Sequence, residues 1–242
     1  MRLIAFPSRR VMWGASWAGL LDVLLAAAAV VLWANAHAPR QDLPWKPLRL
    51  ADPPGLATGW QLDRAASDPA LCRATLHEAG VRFVESPPQQ GGGCSQLDAV
   101  RLTGGTTPLS PARPVMTCRQ ALAYALWDRQ TLRPAAREVL GEPLARVDHM
   151  GTYACRNMYG RAGGPRSQHA FANALDVGGF TTASGRRVRV LNQFGGQDDR
   201  GVFLRRVRDG GCKAFHMVLS PDYNAAHRDH LHLDSGSYRR CD

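Results

Sequence analysis

Hydrophobic and polar positions follow several different periods along the 242-residue chain, and the first clear pattern is a long apolar stretch. It runs from Val11 to Ala38 and is almost purely apolar between Leu20 and Trp33, apart from Asp22. A helix of that length can cross a bilayer whose core is about 30 Å thick. Three arginines precede the stretch: Arg2, Arg9 and Arg10. Positive charge on this side predicts that the rest of the chain is exported.

Residues 1–38 are therefore predicted to be either an uncleaved membrane anchor or a cleaved signal segment. Ala34-Asn35-Ala36 and Ala36-His37-Ala38 both fit a small-x-small cleavage site. Asp22 costs about 3 kcal/mol at the middle of a membrane, which the neighbouring leucines and alanines can offset. This offset favours the anchor, and the cleaved signal stays open.

Prolines and glycines dominate the next segment, residues 39–65, and predict an extended linker. They are Pro39, Pro44, Pro47, Pro53, Pro54, Gly55 and Gly59. Such a linker would hold a domain away from a membrane surface. We therefore expect the folded domain to occupy residues 66–242.

Within that domain, helical and strand periods are mixed. Helical spacing and capping residues predict four helices: Pro69 to Ala79, Thr117 to Leu126, Pro134 to Gly141, and Asp198 to Val207. Apolar or alternating runs predict seven strands: Val81–Val84, Leu97–Leu102, Ala145–Met150, Leu175–Phe180, Arg187–Leu191, Phe215–Leu219 and Leu231–Leu233. Residues 86–95 and 160–168 are predicted loops, and Ser184-Gly185 is a predicted hairpin turn. Because strands and helices do not alternate regularly, the pattern predicts an α+β domain with a small antiparallel sheet flanked by helices.

The amino-acid composition predicts a basic surface. The net charge is +10, and 28 of the 30 basic residues are arginine, since Lys46 and Lys213 are the only lysines. A basic surface can attract nucleic acid, anionic lipid or an acidic wall polymer. No clustered basic block with interleaved aromatic residues is present, so nucleic acid is not an expected partner.

Six cysteines follow the apolar segment, and none forms a CxxC pair. They are Cys72, Cys94, Cys118, Cys155, Cys212 and Cys241. An even number of scattered cysteines in an exported chain indicates disulfides, and six cysteines allow fifteen connectivities. Their spacing argues against a cysteine-based zinc site.

Candidate chemistry concentrates in histidines near the C-terminus. If His230-Leu231-His232 is a strand, the two histidines share a face and stand about 6.6 Å apart, while Leu231 faces the core. One imidazole can then bind a metal ion, and the other can lie near a bound water molecule.

A second pair, His169 and Asp176, has a spacing that constrains its structure. On one continuous helix the two residues would stand about 10 Å apart. Ligands of one Zn²⁺ ion, each at about 2.1 Å, cannot be so distant. A shared site therefore requires a loop that doubles back into the strand around residues 175–177. Three small residues allow close packing of such a return: Ala170, Ala172 and Ala174.

These residues carry a resemblance to a known family. Ser167-x-His169-x-x-x-x-Ala174-x-Asp176 followed by His230-x-His232 resembles the LAS zinc metallopeptidases, which act on D-amino-acid peptides of bacterial cell walls. The chain from residue 42 to 242 resembles the extensin-like C-terminal family more closely. The blocks that carry this likeness are Tyr153–Arg156, Asp176–Phe180, Leu219–Asn224 and His227–Asp234, with Pro44-Trp45 and Pro53-Pro54-Gly55 before them. The group usually places glycine where Ala172 stands, and the extra methyl is compatible with the loop if its φ is negative.

The resemblance implies a zinc cleft in a LAS- or hedgehog-like fold, with one Zn²⁺ per chain. It assigns the metal ligands to His169, Asp176 and His232. Two imidazoles and one carboxylate leave a fourth position for water, as in catalytic zinc sites. The resemblance also gives His230 the role of general base and places Arg156 against the scissile carbonyl or the oxyanion.

Three further residues are expected to contact substrate or support the ligands: Ser167, His227 and Asp234. The implied activity is hydrolysis of peptidoglycan peptides, as a D,D-endopeptidase or a D,D-carboxypeptidase. The implied location is the periplasm, either anchored in the inner membrane or released by signal cleavage. The alternative is a zinc-containing module that binds or supports the wall without turnover, as the related hedgehog fold illustrates.

Overall fold

The computed structural model describes residues 17–242, so the N-terminal arginines and the start of the apolar stretch lie outside the described residues. Helix α1, Trp17–His37, contains a span from Gly19 to His37 with mean hydropathy 1.9, none of it buried against the rest of the protein. Twenty-one residues extend about 31 Å, which matches the hydrocarbon core of a bilayer. This exposed apolar helix is consistent with a signal or an anchor for an exported domain.

Residues 39–65 do not form the predicted extended linker, and that prediction is wrong. The segment contains a 3-10 turn, Arg40–Asp42, and helix α2, Thr58–Ala66. Four of its five leucines are buried, and only Leu56 is exposed; the buried ones are Leu43, Leu48, Leu50 and Leu62. Gln61 Nε2 donates to the carbonyl oxygens of Arg40 and Leu43, both at 2.9 Å. The prolines bend this segment locally, but burial of its leucines fixes it to the domain.

Five further helices follow: α3 Pro69–Glu78, α4 Cys118–Trp127, α5 Arg133–Ala135, α6 Val190–Gln193 and α7 Asp199–Gly211. The side chains of Asp68, Thr117 and Asp198 accept hydrogen bonds from the first turns of α3, α4 and α7, as their sequence predicts. The predicted helices after Thr117 and Pro134 are joined. A wider helical turn at residues 128–132 connects α4 to α5, and a second one at 136–140 follows α5. The resulting continuous helical segment ends at Gly141, whose φ is 76°.

Twelve strands are present in the described part of the chain: β1 Arg82–Glu85, β2 Gln89–Gly91, β3 Cys94–Gln96, β4 Ala99–Gly104, β5 Leu109–Ser110, β6 Val115–Thr117, β7 Leu144–Gly151, β8 Ala174–Thr182, β9 Arg187–Arg189, β10 Met217–Leu219, β11 Leu231–Asp234 and β12 Arg240–Cys241. The largest sheet has the order β12-β10-β11-β8-β7-β5, and β9 also pairs with β8. Smaller sheets are β1-β4-β6 and β2-β3. The β5–β7 and β10–β12 pairs are parallel, and the other pairs are antiparallel. The α+β prediction is therefore confirmed, although the predicted loop 86–95 contains a hairpin.

One face of the large sheet packs against α4 and α7 and forms the core. Trp127 contacts Phe180 edge-on at 6.3 Å between ring centroids, and Phe180 contacts Phe203 at 5.1 Å. The Trp127 indole donates to the Val207 carbonyl oxygen at 2.8 Å, so its polar atom is satisfied inside the core. Alternate residues of β8 and β11 enter this core: Leu175, Val177, Leu231 and Leu233. The residues between them therefore point to the opposite face of the sheet.

All six cysteines are paired, as the sequence predicts. The bonds are Cys72–Cys118, Cys94–Cys155 and Cys212–Cys241. The first joins α3 to α4, and the third ties the C-terminal strand β12 to the end of α7. The second joins β3 to the segment that carries Arg156.

Candidate metal centre

Asp176 and His232 lie directly opposite each other on the paired antiparallel strands β8 and β11. Cross-strand partners have Cβ atoms about 5 Å apart and share a face of the sheet. Because Leu175 and Val177 point into the core, Asp176 points away from it, and His232 does the same between Leu231 and Leu233. Two of the predicted ligands are thus brought together by strand register.

His169 reaches the same place through a reversal of the chain, as the sequence required. The chain forms a short 3-10 helix, Gln168–Phe171, rather than a continuous helix through His169 and Asp176. The Ser167 hydroxyl caps this 3-10 helix by accepting a hydrogen bond from the His169 N–H at 3.4 Å. Asn173 N donates to the Gln168 carbonyl oxygen at 3.1 Å and closes the turn before β8 begins.

The reversal depends on Ala172, which adopts a left-handed conformation with φ 53°. The condition under which the extra methyl would be tolerated without strain, a negative φ, is therefore not met. The left-handed backbone is needed to turn the chain from the 3-10 helix into β8, and glycine would adopt it without steric cost. Ala172 is nevertheless fully buried, against Ala99 and Val115, so its methyl group contributes packing.

The nitrogen and oxygen atoms of His169, Asp176 and His232 lie within 4.8 Å of one another. His169 Nε2 is 3.0 Å from Asp176 Oδ2, and His232 Nδ1 is 2.8 Å from Asp176 Oδ1. Despite this contact, His169 Nε2 is a buried polar atom without a hydrogen-bond partner among the described residues. Buried polar atoms are rarely left unpaired. These three side chains could therefore hold a metal ion.

Asp234 holds the other side of the His232 ring. Its Oδ2 lies 3.0 Å from His232 Nε2, and its Oδ1 accepts from the Gly236 N–H at 2.8 Å. A proton on Nε2 leaves the lone pair of Nδ1 directed toward Asp176. A carboxylate that fixes the tautomer of a metal-binding histidine is a common supporting contact.

Charge and burial shift the pKa values of this group strongly. Burial alone would raise the pKa of Asp176, but the contacts with His169 and His232 lower it well below its ordinary value. Burial lowers the pKa of His232, yet Asp176 and Asp234 outweigh burial and raise it to about 9. A proton and a cation thus compete for the same lone pair of His232 Nδ1.

His230 stands just before β11 rather than inside it, and it still faces the centre. Its Nε2 is 3.6 Å from Asp176 Oδ1, and its Nδ1 is 2.9 Å from Asp229 Oδ1. His227 lies beside it, with ring centroids 5.2 Å apart, and contacts Asn224 Oδ1 through Nδ1 at 2.8 Å. Burial and the charges of His230 and His232 lower the pKa of His227 to about 4. His227 is therefore neutral at pH 7.

A comparison with protein families matches residues 70–242 to the model of the extensin-like protein C-terminus. The chain belongs to this family. No curated protein and no solved structure matches the chain. The matched region contains all eight predicted site residues, and the relation to the LAS metallopeptidases stays a prediction.

In this extensin-like domain, the candidate centre lies at the base of an open cleft of about 550 Å³. Arg156 is exposed at the rim, and among the described residues no hydrogen-bond or ion-pair partner holds its guanidinium group. Ser167, His227, His230 and Asp234 also line the cleft, so the predicted residues are brought together. Tyr153, the first residue of the block that contains Arg156, is exposed and does not line the cleft.

Two tyrosines at the cleft rim were missed by the sequence reasoning. Tyr159 is 50% exposed and has a left-handed backbone with φ 56°, and Tyr238 is 80% exposed. The Asn157-Met-Tyr-Gly160 sequence carries a turn signal that could have identified the first. Tyr238 lies far along the chain in an irregular segment, so no local pattern points to it.

Proposed function

We propose that this extensin-like domain is a zinc-dependent peptidase that hydrolyses peptide bonds of peptidoglycan outside the cytoplasm. The observation that carries the proposal is the buried, unpartnered Nε2 of His169, directed at the carboxylate that also contacts His232. Such an atom is costly unless a cation takes its lone pair.

The donor set fits zinc. His169 would bind through Nε2, His232 through Nδ1, and Asp176 through a carboxylate oxygen. Imidazole and carboxylate ligands in this number suit Zn²⁺ and leave one position open toward the cleft. When bound, zinc would polarise the scissile carbonyl group and lower the pKa of a coordinated water to about 7.

In this proposal, His230 would take a proton from the attacking water. Its Nε2 faces the centre, while Asp229 contacts Nδ1 and stabilises the protonated ring. The same Nε2 can then deliver the proton to the leaving amine. Arg156, unpaired at the rim of the same cleft, is free to bind the carbonyl oxygen as negative charge develops on it.

The substrate class rests on location and family. The exposed apolar helix α1 and three disulfides support export or membrane anchoring outside the cytoplasm. A domain held there on a short, packed connection faces the cell wall. The likeness to peptidases of wall peptides supports peptidoglycan as the substrate, with either a crosslink or a terminal D-amino acid as the target.

The proposal is tested by metal content and by digestion. The full-length chain, purified in detergent, should contain about one equivalent of zinc, and His169→Ala should lose it while the exposed His77→Ala keeps it. The loaded wild type should convert crosslinked muropeptides into smaller products, read by mass spectrometry. Less than half an equivalent of zinc would refute the centre. Full zinc occupancy without cleavage would instead favour the alternative, a zinc-containing binding module.

A further inference from the structure

A second feature of the same sheet face lies beside the candidate centre. A groove of about 260 Å³ runs over the outer face of strands β7, β8 and β9. Six residues line it: Arg146, Asp148, Gly178, Gly179, Arg187 and Arg189. None of them has been given a role in the proposed reaction.

Strand register shows that the groove and the centre are on one face. Residues paired across antiparallel strands share a face. Asp148, Gly179 and Arg189 form one row across β7, β8 and β9, and Arg146, Thr181 and Arg187 form the next. The centre lies in a third row, in which Asp176 pairs with His232.

A β-bulge on β8 leaves the two arginine rows on the same face of the sheet as the row of Asp176. The register of β7 against β8 shifts between Asp148 and His149, so Gly178 is an extra residue on β8. Val177 and Phe180 both enter the core, so the two glycines between them lie on the outer side of β8. A side chain at Gly179 would meet the β9 backbone, because its Cβ would lie 2.5 Å from the Val188 carbonyl oxygen. If the bulged pair Gly178 and Gly179 counts as one step, the two arginine rows lie two and four steps along β8 from Asp176, or roughly 7 and 13 Å at about 3.3 Å per residue.

The groove carries positive charge that the protein itself does not neutralise. Asp148 is satisfied by Arg146 at 2.6 Å and by the Thr181 hydroxyl at 2.7 Å. The exposed Arg187 and Arg189 guanidinium groups have no hydrogen-bond or ion-pair partner among residues 17–242. The glycines leave the floor without side chains, so an extended chain can lie between the arginines. Guanidinium groups bind carboxylates with paired hydrogen bonds.

We infer that this arginine groove, the six residues above, is an extended subsite that binds carboxylates of the peptide substrate two to four residues from the scissile bond. This inference rests on the proposed function. The distance follows because an extended peptide covers about 3.3–3.6 Å per residue. The groove thereby selects acidic wall peptides and sets their direction across the centre.

The test compares two forms of one crosslinked muropeptide: the native form, and a form whose carboxylates away from the scissile bond are converted to amides. Binding by calorimetry and cleavage kinetics are measured with the full-length, zinc-loaded protein. Arg187→Gln/Arg189→Gln should weaken binding of the native form about five- to tenfold, raise KM equally and leave kcat unchanged. Amidation should have the same effect on wild type and no further effect on the double variant.

Two controls separate charge from structure. Arg187→Lys/Arg189→Lys should restore most of the binding. Arg137→Gln should match wild type, because Arg137 lies on the opposite helical layer, is exposed and has no hydrogen-bond or ion-pair partner within residues 17–242. Normal cleavage with equal affinities for both peptides would overturn the groove and leave the peptidase intact. Carboxylate-dependent binding without cleavage would retain the groove and refute the peptidase. Loss of binding to phosphatidylglycerol vesicles alone would assign the arginines to a membrane surface and also overturn the inference.

Discussion

The contact between Asp234 and His232 gives the sharpest prediction about the centre. Asp234→Asn replaces the carboxylate with an amide of nearly the same shape. The amide oxygen can still face His232 Nε2, where the carboxylate now lies at 3.0 Å. The amide nitrogen then faces the Gly236 N–H, which loses the acceptor that it has at 2.8 Å. The variant therefore removes charge from one contact and the acceptor from another.

The two effects fall on different measurements. A hydrogen bond to a charged group contributes about 1.5–3 kcal/mol and a neutral one about 0.5–1.5 kcal/mol, so the histidine contact weakens by roughly 1–1.5 kcal/mol. That loss corresponds to about a tenfold weaker zinc affinity, within the range found for supporting residues of metal sites. The unpaired Gly236 N–H costs about 1–3 kcal/mol with or without metal, so it lowers the free energy of unfolding and not the affinity.

Zinc affinity is measured by competition with a fluorescent chelator, and stability by urea denaturation of the metal-stripped protein. Asp229→Asn is the matched control, because Asp229 contacts His230 rather than a proposed ligand. It should leave zinc affinity unchanged and slow the reaction. A folded Asp234→Asn protein with wild-type zinc affinity would refute His232 as a ligand through Nδ1.

Three further predictions test other parts of the molecule. His230→Ala should keep zinc and lose about 10²- to 10⁴-fold in rate in a muropeptide assay; loss of metal would show that base and ligand are exchanged. Cys72→Ala/Cys118→Ala should lower the free energy of unfolding by about 4 kcal/mol, because the bond closes a 46-residue loop; a change below about 1 kcal/mol in denaturant titrations would contradict this. Burial would raise the pKa of Asp63, but the His216 hydrogen bond and the Arg119 charge lower it overall. The contribution of Asp63 to the free energy of unfolding is therefore complete above about pH 5, and it is lost as the pH falls through the lowered pKa. The stability difference between wild type and Asp63→Asn should therefore shrink from pH 5 to pH 2 in urea titrations, and a constant difference would be inconsistent with the ion pair.

Local sequence determined the parts of this protein that depend on neighbouring residues. Asp68, Thr117 and Asp198 cap three helices whose starts were predicted beside them, because a short polar side chain satisfies the free N–H groups of the first turn. Alternation of apolar residues placed Asp176 and His232 on the face opposite the core. The spacing of His169 and Asp176 required a reversal between them, and a 3-10 turn provides it.

Tertiary structure decided what depends on residues far apart in the chain. Proline content predicted an extended linker, but Leu43, Leu48 and Leu50 are buried. The free energy gained by burying these apolar side chains outweighs the local preference of the prolines for an extended chain. Three other features also depend on contacts between residues far apart in the sequence. They are the pairing of the six cysteines, the left-handed backbone of Ala172 and the position of Tyr238 beside the cleft. The sequence predicted which residues would bind a metal ion, but the sheet register and the bulge at Gly178, which place these residues and the arginine groove on one face, depend on pairing between distant strands.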